Sequence, residues 1–259
     1  MTPDFELITH KFPNKDIKIY PIADVHLGAR EHLDREWKAF CTEILKDENA
    51  YIILAGDLIN NALKNSVSNV YEETMRPREQ KRIMVEMLTP LRDRILAATS
   101  GNHERRSAKE ADDDVTYDIM CKLDLEHLYR ENIAIVKLKF GHDKIDGTRN
   151  PCYVLAVTHG AGGGMTGAAV NRAERFGYVW DGIDALIVGH THKPFDTEPV
   201  KLKVDPRRNK VYYTPFRVIS VSSWLAYGGY AVRKMLLPAG NTRHIMTLCG
   251  NHKEIRIES

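Results

Sequence analysis

Five short polar clusters, each set just after a short apolar run, constrain this chain more than any other feature. Ile17 to Ala23 leads into Asp24-Val25-His26, and Tyr51 to Ala55 into Gly56-Asp57. Ile95 to Thr99 precedes Gly101-Asn102-His103-Glu104. Tyr153 to Val157 precedes His159-Gly160, and Ala185 to Val188 precedes Gly189-His190-Thr191-His192. Such runs are too short for helices and read as buried strands. In α/β sheets, ligands bind beyond the carboxyl ends of the strands. Polar residues scattered from 24 to 192 can therefore be delivered to one place. Glycine at 56, 101 and 189 lets the backbone turn tightly there without a Cβ clash.

The segments between these runs carry helical spacing. Trp37, Phe40, Cys41, Ile44 and Leu45 fall on one helix face, with Asp34 as the start. Pro77 opens a second pattern through Met84, Met87, Leu88 and Leu91, and Val115, Ile119 and Leu123 mark a third. Ile133 to Phe140 reads as one more strand. Strands alternating with helices predict an α/β domain. After Pro199 the pattern changes. Val200 to Val204, Asp-Pro-Arg-Arg-Asn and Lys210 to Tyr213 read as a hairpin, with further strands at Val218–Val221 and Tyr230–Leu237. No composition break or repeat divides the 259 residues, so a single domain, 1–259, is expected.

Composition excludes several classes. Charged residues at 28% and the hydrophobic set at 43% suit a soluble chain with a real core. No apolar run approaches the ~18 residues of a membrane helix, and the start does not read as a signal peptide, so a cytoplasmic protein with no membrane partner is expected. Thirty-seven basic against thirty-five acidic residues give +2, which neither demands nor excludes nucleic acid. The four cysteines, 41, 121, 152 and 249, read as scattered reduced thiols rather than a disulfide framework or a Cys-x-x-Cys metal site. Of eleven histidines, five fall in the polar clusters.

Two carboxylates, a carboxamide and several imidazoles are oxygen and nitrogen donors for divalent ions such as Mn²⁺, Fe²⁺ or Zn²⁺. Asp24, His26, Asp57, Asn102, His159, His190 and His192 supply seven candidate ligands. One bridging carboxylate would join two ions into a pair about 3.5–4 Å apart. Two divalent ions outweigh two aspartates and a bridging hydroxide, so the centre should attract an anion such as a phosphoester.

Each cluster alone is weak: Asp-x-His and Gly-Asp usually mark turns, and a single His159 could be a core histidine. All five in order form a stronger pattern, which resembles that of the calcineurin-like metallophosphoesterases: Asp-x-His, Gly-Asp, Gly-Asn-His-Asp/Glu, His, Gly-His-x-His. The resemblance implies a two-sheet β-sandwich flanked by helices, four layers deep, with the C-terminal region 200–259 mostly in strands of the second sheet. It implies two divalent ions, manganese foremost, with iron, zinc, cobalt and nickel as others. Asp24, His26 and His192 would hold the first ion, and Asn102, His159 and His190 the second, with Asp57 bridging. His103 would stand outside the metal shell and act on the leaving group as the catalytic residue. Glu104 has two readings, an orienter of His103 or a solvent-facing residue opening the next segment. The implied activity is hydrolysis of a phosphoester by attack of metal-bound hydroxide.

The branch is read from smaller likenesses. Gly-Asn-His-Glu occurs in Ser/Thr protein phosphatases, but their Asp-Arg-Gly is absent after Gly56-Asp57, where Leu-Ile-Asn-Asn follows. Asp-Val-His-Leu-Gly is similar to the nuclease branch that includes the Mre-eleven repair exonucleases. His-Gly-Ala-Gly-Gly-Gly at 159–164, with Tyr-Gly-Gly-Tyr at 227–230, resembles metallophosphoesterases of bacteriophage and prophage genomes. A phosphodiesterase or nuclease acting on DNA or RNA is therefore expected ahead of a phosphomonoesterase, with a non-catalytic metal-binding scaffold third. Gly160 to Gly164 reads as a mobile rim near the phosphate or as a plain connection. Basic groups at Arg76, Arg78, Lys81, Arg82, at Arg92, Arg94, Arg105, Arg106, and at Arg207, Arg208, Lys210 read first as solvated faces and second as a track for nucleic acid.

Overall fold

The computed structural model describes residues 3–66, 69–141, 150–162 and 167–259. The elements follow in order: β1 (Ile8–Phe12), β2 (Ile17–Ile22), α1 (Asp34–Lys46), β3 (Ala50–Ala55), α2 (Pro77–Leu88), β4 (Ile95–Thr99), α3 (Arg105–Ala111), α4 (Val115–Lys122), β5 (Tyr129–Arg130), β6 (Ala134–Phe140) and β7 (Cys152–Thr158). They continue through α5 (Ala168–Val179), β8 (Ala185–Val188), β9 (Phe195–Thr197), β10 (Val200–Asp205), β11 (Lys210–Pro215), β12 (Arg217–Ser220), α6 (Gly229–Arg233), β13 (Ile245–Leu248) and β14 (Ile255–Glu258).

Two six-stranded sheets form, in the orders β14-β13-β2-β3-β4-β5 and β1-β6-β7-β8-β12-β9. In the first, β2, β3, β4 and β5 run parallel. In the second, β7, β8 and β12 do. Side-chain alternation in the second sheet shows how the layers stack. Leu155, Val157, Ile187 and Ile219 join Ile19, Ile53 and Ala97 of the first sheet in one core. Their neighbours Ala156, Leu186 and Val218 face the other way, onto Ala173 of α5. Trp37 and Ile44 of α1, Met84 and Leu88 of α2 and Ile119 of α4 complete the larger core. Complete burial of a side chain such as Ile19 or Leu155 contributes about 1.5–3 kcal/mol. The expected mixed α/β architecture of two sheets with flanking helices is what forms.

Four details differ from the sequence reading. Leu45 is exposed although its neighbours on the helical pattern pack inward. The hairpin β10–β11 forms its own two-stranded sheet instead of joining the second. One of its faces, Leu202, Val204, Val211 and Tyr213, lies open to solvent, so apolar alternation was no guide to burial. Of the C-terminal region, only β12 enters the second sheet, while β13 and β14 extend the first. Tyr230–Leu237 is not a strand. The amides of Ala231 and Met235 bond back to Gly228 and Val232 at 3.0 Å and turn the chain. Among the described residues no helix is long and apolar enough to cross a membrane.

Candidate metal centre

The loops that leave β2, β3, β4, β7 and β8 are stitched together before any side chain is considered. Asp24 N donates to Gly56 O and His26 N to Asp57 O, both at 3.0 Å, while Gly189 N donates to His159 O at 3.2 Å. Close packing sets the glycines. A Cβ on Gly56, whose φ is +84°, would lie 2.5 Å from Gly101 N. A Cβ on Gly101 would lie 2.0 Å from Asp57 Oδ1.

Each aspartate divides its carboxylate between backbone and centre. Asp24 Oδ2 accepts His190 N at 2.9 Å, tying the two sheets' loops together, and Asp57 Oδ1 accepts His103 N at 2.8 Å. The other oxygens face imidazoles. Asp24 Oδ1 lies 3.2 Å from His192 Nε2 and 3.7 Å from His26 Nε2. Asp57 Oδ2 lies 3.2 Å from His159 Nε2 and 3.9 Å from His26 Nε2. Asn102 Oδ1 meets His159 Nε2 at 2.9 Å and His190 Nδ1 at 2.7 Å.

All seven sequence-predicted ligands thus converge, in two groups with Asp57 between them. Asp24, His26, Asp57 and His159 form a buried floor, His190 and His192 are half-buried, and Asn102 is exposed at the rim. Five of the seven hold left-handed backbone: Asp24, His26, Asp57, His190 and His192, with φ between 49° and 69°. Non-glycine residues in this region cost of order 1–3 kcal/mol each and persist where surrounding structure imposes them. Here the stitched loops impose them.

The aspartates and imidazoles of the centre shift one another's titration. Burial alone would raise the Asp24 carboxyl, but His192 and His26 hold it well below the usual range, and His159 and His103 do the same for Asp57. Burial would lower His159, yet Asp57 raises it to about 10. Asp24 Oδ1 is buried without a hydrogen bond, and His26 Nε2 and His192 Nε2 face each other at 3.2 Å. A buried orphan carboxylate oxygen among opposed ring nitrogens fits a divalent ion better than it fits protons alone.

A family model described as calcineurin-like phosphoesterase matches residues 17–194, more than half of the chain and a span that contains all seven of these residues. The chain belongs to the calcineurin-like phosphoesterases. Like its family, it is a metal-dependent hydrolase of phosphoesters, and its His/Asp clusters could hold a divalent metal ion. Among solved structures this calcineurin-like phosphoesterase is similar to a metallophosphoesterase from Sphaerobacter thermophilus (17% identity over 90% of this chain and 83% of that one, TM-score 0.38). It is also similar to the calcineurin-like phosphoesterase YfkN from Bacillus subtilis (13% identity, 95% and 91% covered, TM-score 0.38). A third is a predicted phosphoesterase from Streptococcus pneumoniae TIGR4 (8% identity, 93% and 88% covered, TM-score 0.37). No curated protein matches the chain in sequence.

His103 sits beside the metal clusters of this phosphoesterase. Its Nδ1 lies 2.8 Å from Asn60 O, so the carbonyl fixes Nδ1–H and leaves Nε2 toward the centre, 3.8 Å from Asp57 Oδ2. Burial lowers its pKa to about 3. Glu104 follows neither sequence reading. It is buried, and its carboxylate accepts the amides of Asp57 (2.9 Å), Gly101 (3.0 Å) and Ile59 (3.1 Å). It holds the β3 and β4 loops together rather than touching His103. Asn61 was missed as well: it is buried, left-handed, and donates to His103 O at 2.8 Å. No local pattern announces either role, because Asp57 and Ile59 lie more than forty residues from Glu104, as His103 does from Asn61.

The remaining sequence expectations separate. Lys81 pairs with Asp113 and Asp118, Arg92 with Asp124, and Arg208 with Asp205, while Arg82 meets Glu86. Arg105 bonds Glu131 O, and Arg106 bonds Asn60 O beside His103. Four of these basic residues, Lys81, Arg82, Arg92 and Arg208, are thus neutralised locally, while Arg105 and Arg106 bond neutral carbonyls. Of the Gly160–Gly164 loop, residues 163 and 164 lie outside the described residues; Ala161 O accepts Arg172 Nη1 at 2.8 Å.

Proposed function

We propose a dinuclear phosphodiesterase in which Asp24, His26 and His192 would hold one ion and Asn102, His159 and His190 a second, with Asp57 between the two groups as a ligand both ions would share. The observation that carries this reading is the position of Asp57, within 3.2 Å of one ligand group and 3.9 Å of the other. Bound divalent ions lower the pKa of coordinated water and offset charge on the nonbridging phosphate oxygens. The chain's own residues do the rest. Asp24 and Asp57 spend one oxygen each on backbone amides and so hold the other fixed. Asn102, exposed, and His103, His190 and His192, half-buried, form the solvent side of the centre, where substrate would meet it.

His103 acts at the leaving group. Its ring is anchored through Nδ1, so Nε2 is the atom that holds and moves the proton. An approaching phosphoester anion favours the charged imidazole and offsets the burial that now disfavours it. The preference for a diester rests on the Asp24–Gly28 likeness to the nuclease branch. Among the flanking basic residues, Lys81, Arg82, Arg92 and Arg208 pair with nearby carboxylates, which weakens the case for a long nucleic-acid track along them. Manganese is the first candidate ion, from the oxygen and nitrogen donor set. Four free cysteines suit the reducing cytoplasm.

Elemental analysis of purified protein, coupled to assays of an aryl phosphate, a bis-aryl phosphate, and single- and double-stranded DNA and RNA with Mn²⁺, tests the whole. Two ions bound at these ligands and faster diester cleavage are expected. Monoester cleavage alone would assign a phosphomonoesterase. Two tightly held ions with no hydrolysis of any phosphoester would assign a scaffold.

A further inference from the structure

The turn joining β13 to β14 gathers a second set of ligand-type side chains, far from the centre just described. Leu248 pairs with Ile17, the first residue of β2, whereas Asp24 lies beyond its last. At about 3.3 Å per residue, the length of β2 separates the two places by roughly 20 Å. Cys249 Sγ approaches His252 Nδ1 at 3.2 Å, and His252 Nε2 meets Glu254 Oε2 at 3.1 Å. Thiol, imidazole and carboxylate offer ligand atoms within 4.8 Å of one another. Cys249 is buried and the other two are exposed, so the set opens to solvent on one side.

The backbone beneath these groups is held rigidly. Tyr153 Oη, from the opposite sheet, lies 2.7 Å from Cys249 O, 2.9 Å from His252 O and 3.1 Å from Glu254 O, and it accepts Glu254 N at 2.9 Å. Gly250 N donates to Asp16 Oδ1 at 3.0 Å. Arg256 donates to Asp16 Oδ2 at 2.8 Å and lies 3.9 Å from Glu254 Oε2, which offsets the local carboxylate charge. A backbone fixed in this way reduces the freedom lost when the three side chains gather on an ion.

We propose that Cys249, His252 and Glu254 form a separate site for one borderline-soft divalent cation, of the zinc class. With ordinary metal–sulfur and metal–nitrogen lengths, a tetrahedral ion would set Sγ and Nδ1 about 3.5 Å apart, close to the distance present. The exposed Glu254 side chain swings from Nε2 to the ion. Binding takes the thiolate form of Cys249, and the thiol proton leaves to solvent. The ion clips the β13–β14 turn to the point where Tyr153 joins the two sheets.

Cobalt titration of the reduced, metal-stripped full chain tests this independently of the phosphoesterase centre, which contains no sulfur ligand. A sulfur-to-cobalt charge-transfer band that saturates at one ion per chain is expected. C249S should abolish the band and lower the bound cobalt by one ion while phosphoester hydrolysis continues. H252A should weaken the band's cobalt affinity by about tenfold or more. Absence of the band in the wild-type chain at saturating cobalt, or its survival in C249S, overturns the proposal. The wild-type result does not depend on whether either variant folds.

Discussion

Glu104 Oε2 accepts the backbone amide of Asp57 at 2.9 Å, and the same oxygen takes Gly101 N at 3.0 Å. A buried carboxylate on the β4 loop thus sets the position of the aspartate that lies between the two ligand groups. Burial and the Asp57 charge push the Glu104 carboxyl up to about 7, while the backbone amides draw it down. Charge-assisted bonds of this kind contribute about 1.5–3 kcal/mol. Glu104→Gln should turn one accepting oxygen into an N–H that opposes a backbone amide. A loss of about 2–4 kcal/mol in denaturant unfolding, with weaker metal retention, is the expected outcome. Unchanged stability and metal content would remove Glu104 from this role.

Asp57→Asn should separate metal from fold. The amide oxygen can still accept His103 N, so the loop contact is conserved, but the negative charge between the two ligand groups is lost. Elemental analysis should find metal and hydrolysis falling together, while circular dichroism stays native. A variant that keeps two ions would contradict the bridging assignment.

His103→Gln should keep the ions and lower kcat by about 10²–10⁴-fold, the usual contribution of a positioned acid–base group. The loss should shrink for substrates whose leaving group is already a weak base. Equal losses on activated and unactivated esters, or loss of metal, would place His103 among the ligands instead.

Gly101→Ala asks whether close approach, rather than turn geometry, fixes this glycine. The new Cβ would fall 2.0 Å from Asp57 Oδ1 and 2.2 Å from its amide, in a backbone that cannot move without shifting the β3 loop. Destabilisation of about 3 kcal/mol or more is expected from this overlap, read by chemical unfolding. A near-neutral effect would mean that the two loops separate easily.

Cys41 gives a pH prediction away from the centre. Burial raises its thiol to about 12, against about 8.5 in an unfolded chain. The folded state therefore favours the neutral thiol. Its stabilising contribution is complete below pH 8.5 and declines as pH climbs from there toward 12. Cys41 is half-buried, so at pH 9 iodoacetamide should label it much more slowly in the native protein than in the unfolded chain, as peptide mass spectrometry would report. Rapid native labelling at Cys41 would contradict this burial.

Local chemistry made much of this protein legible. Short apolar runs ending in Asp, Asn, His and Gly identified β2, β3, β4, β7 and β8 and the seven residues beyond them, because strand propensity and ligand type are properties of a few neighbouring residues. Strand β1 and the pair β13–β14 were not legible. Their place depends on partners far away: β1 pairs with β6, and β13 with β2, across more than a hundred residues.

The sequence by itself determined which atoms are available to a cation and in what order they arrive. Tertiary structure alone decided that Glu104 faces inward to three amides, that the β10–β11 hairpin stands apart, and that Cys249, His252 and Glu254 meet beneath Tyr153. The first and last of these outcomes turn on desolvation and on hydrogen bonds across long stretches of chain. A buried carboxylate is tolerated only where donors from other strands converge on it, and such convergence exists only once the sheets have packed.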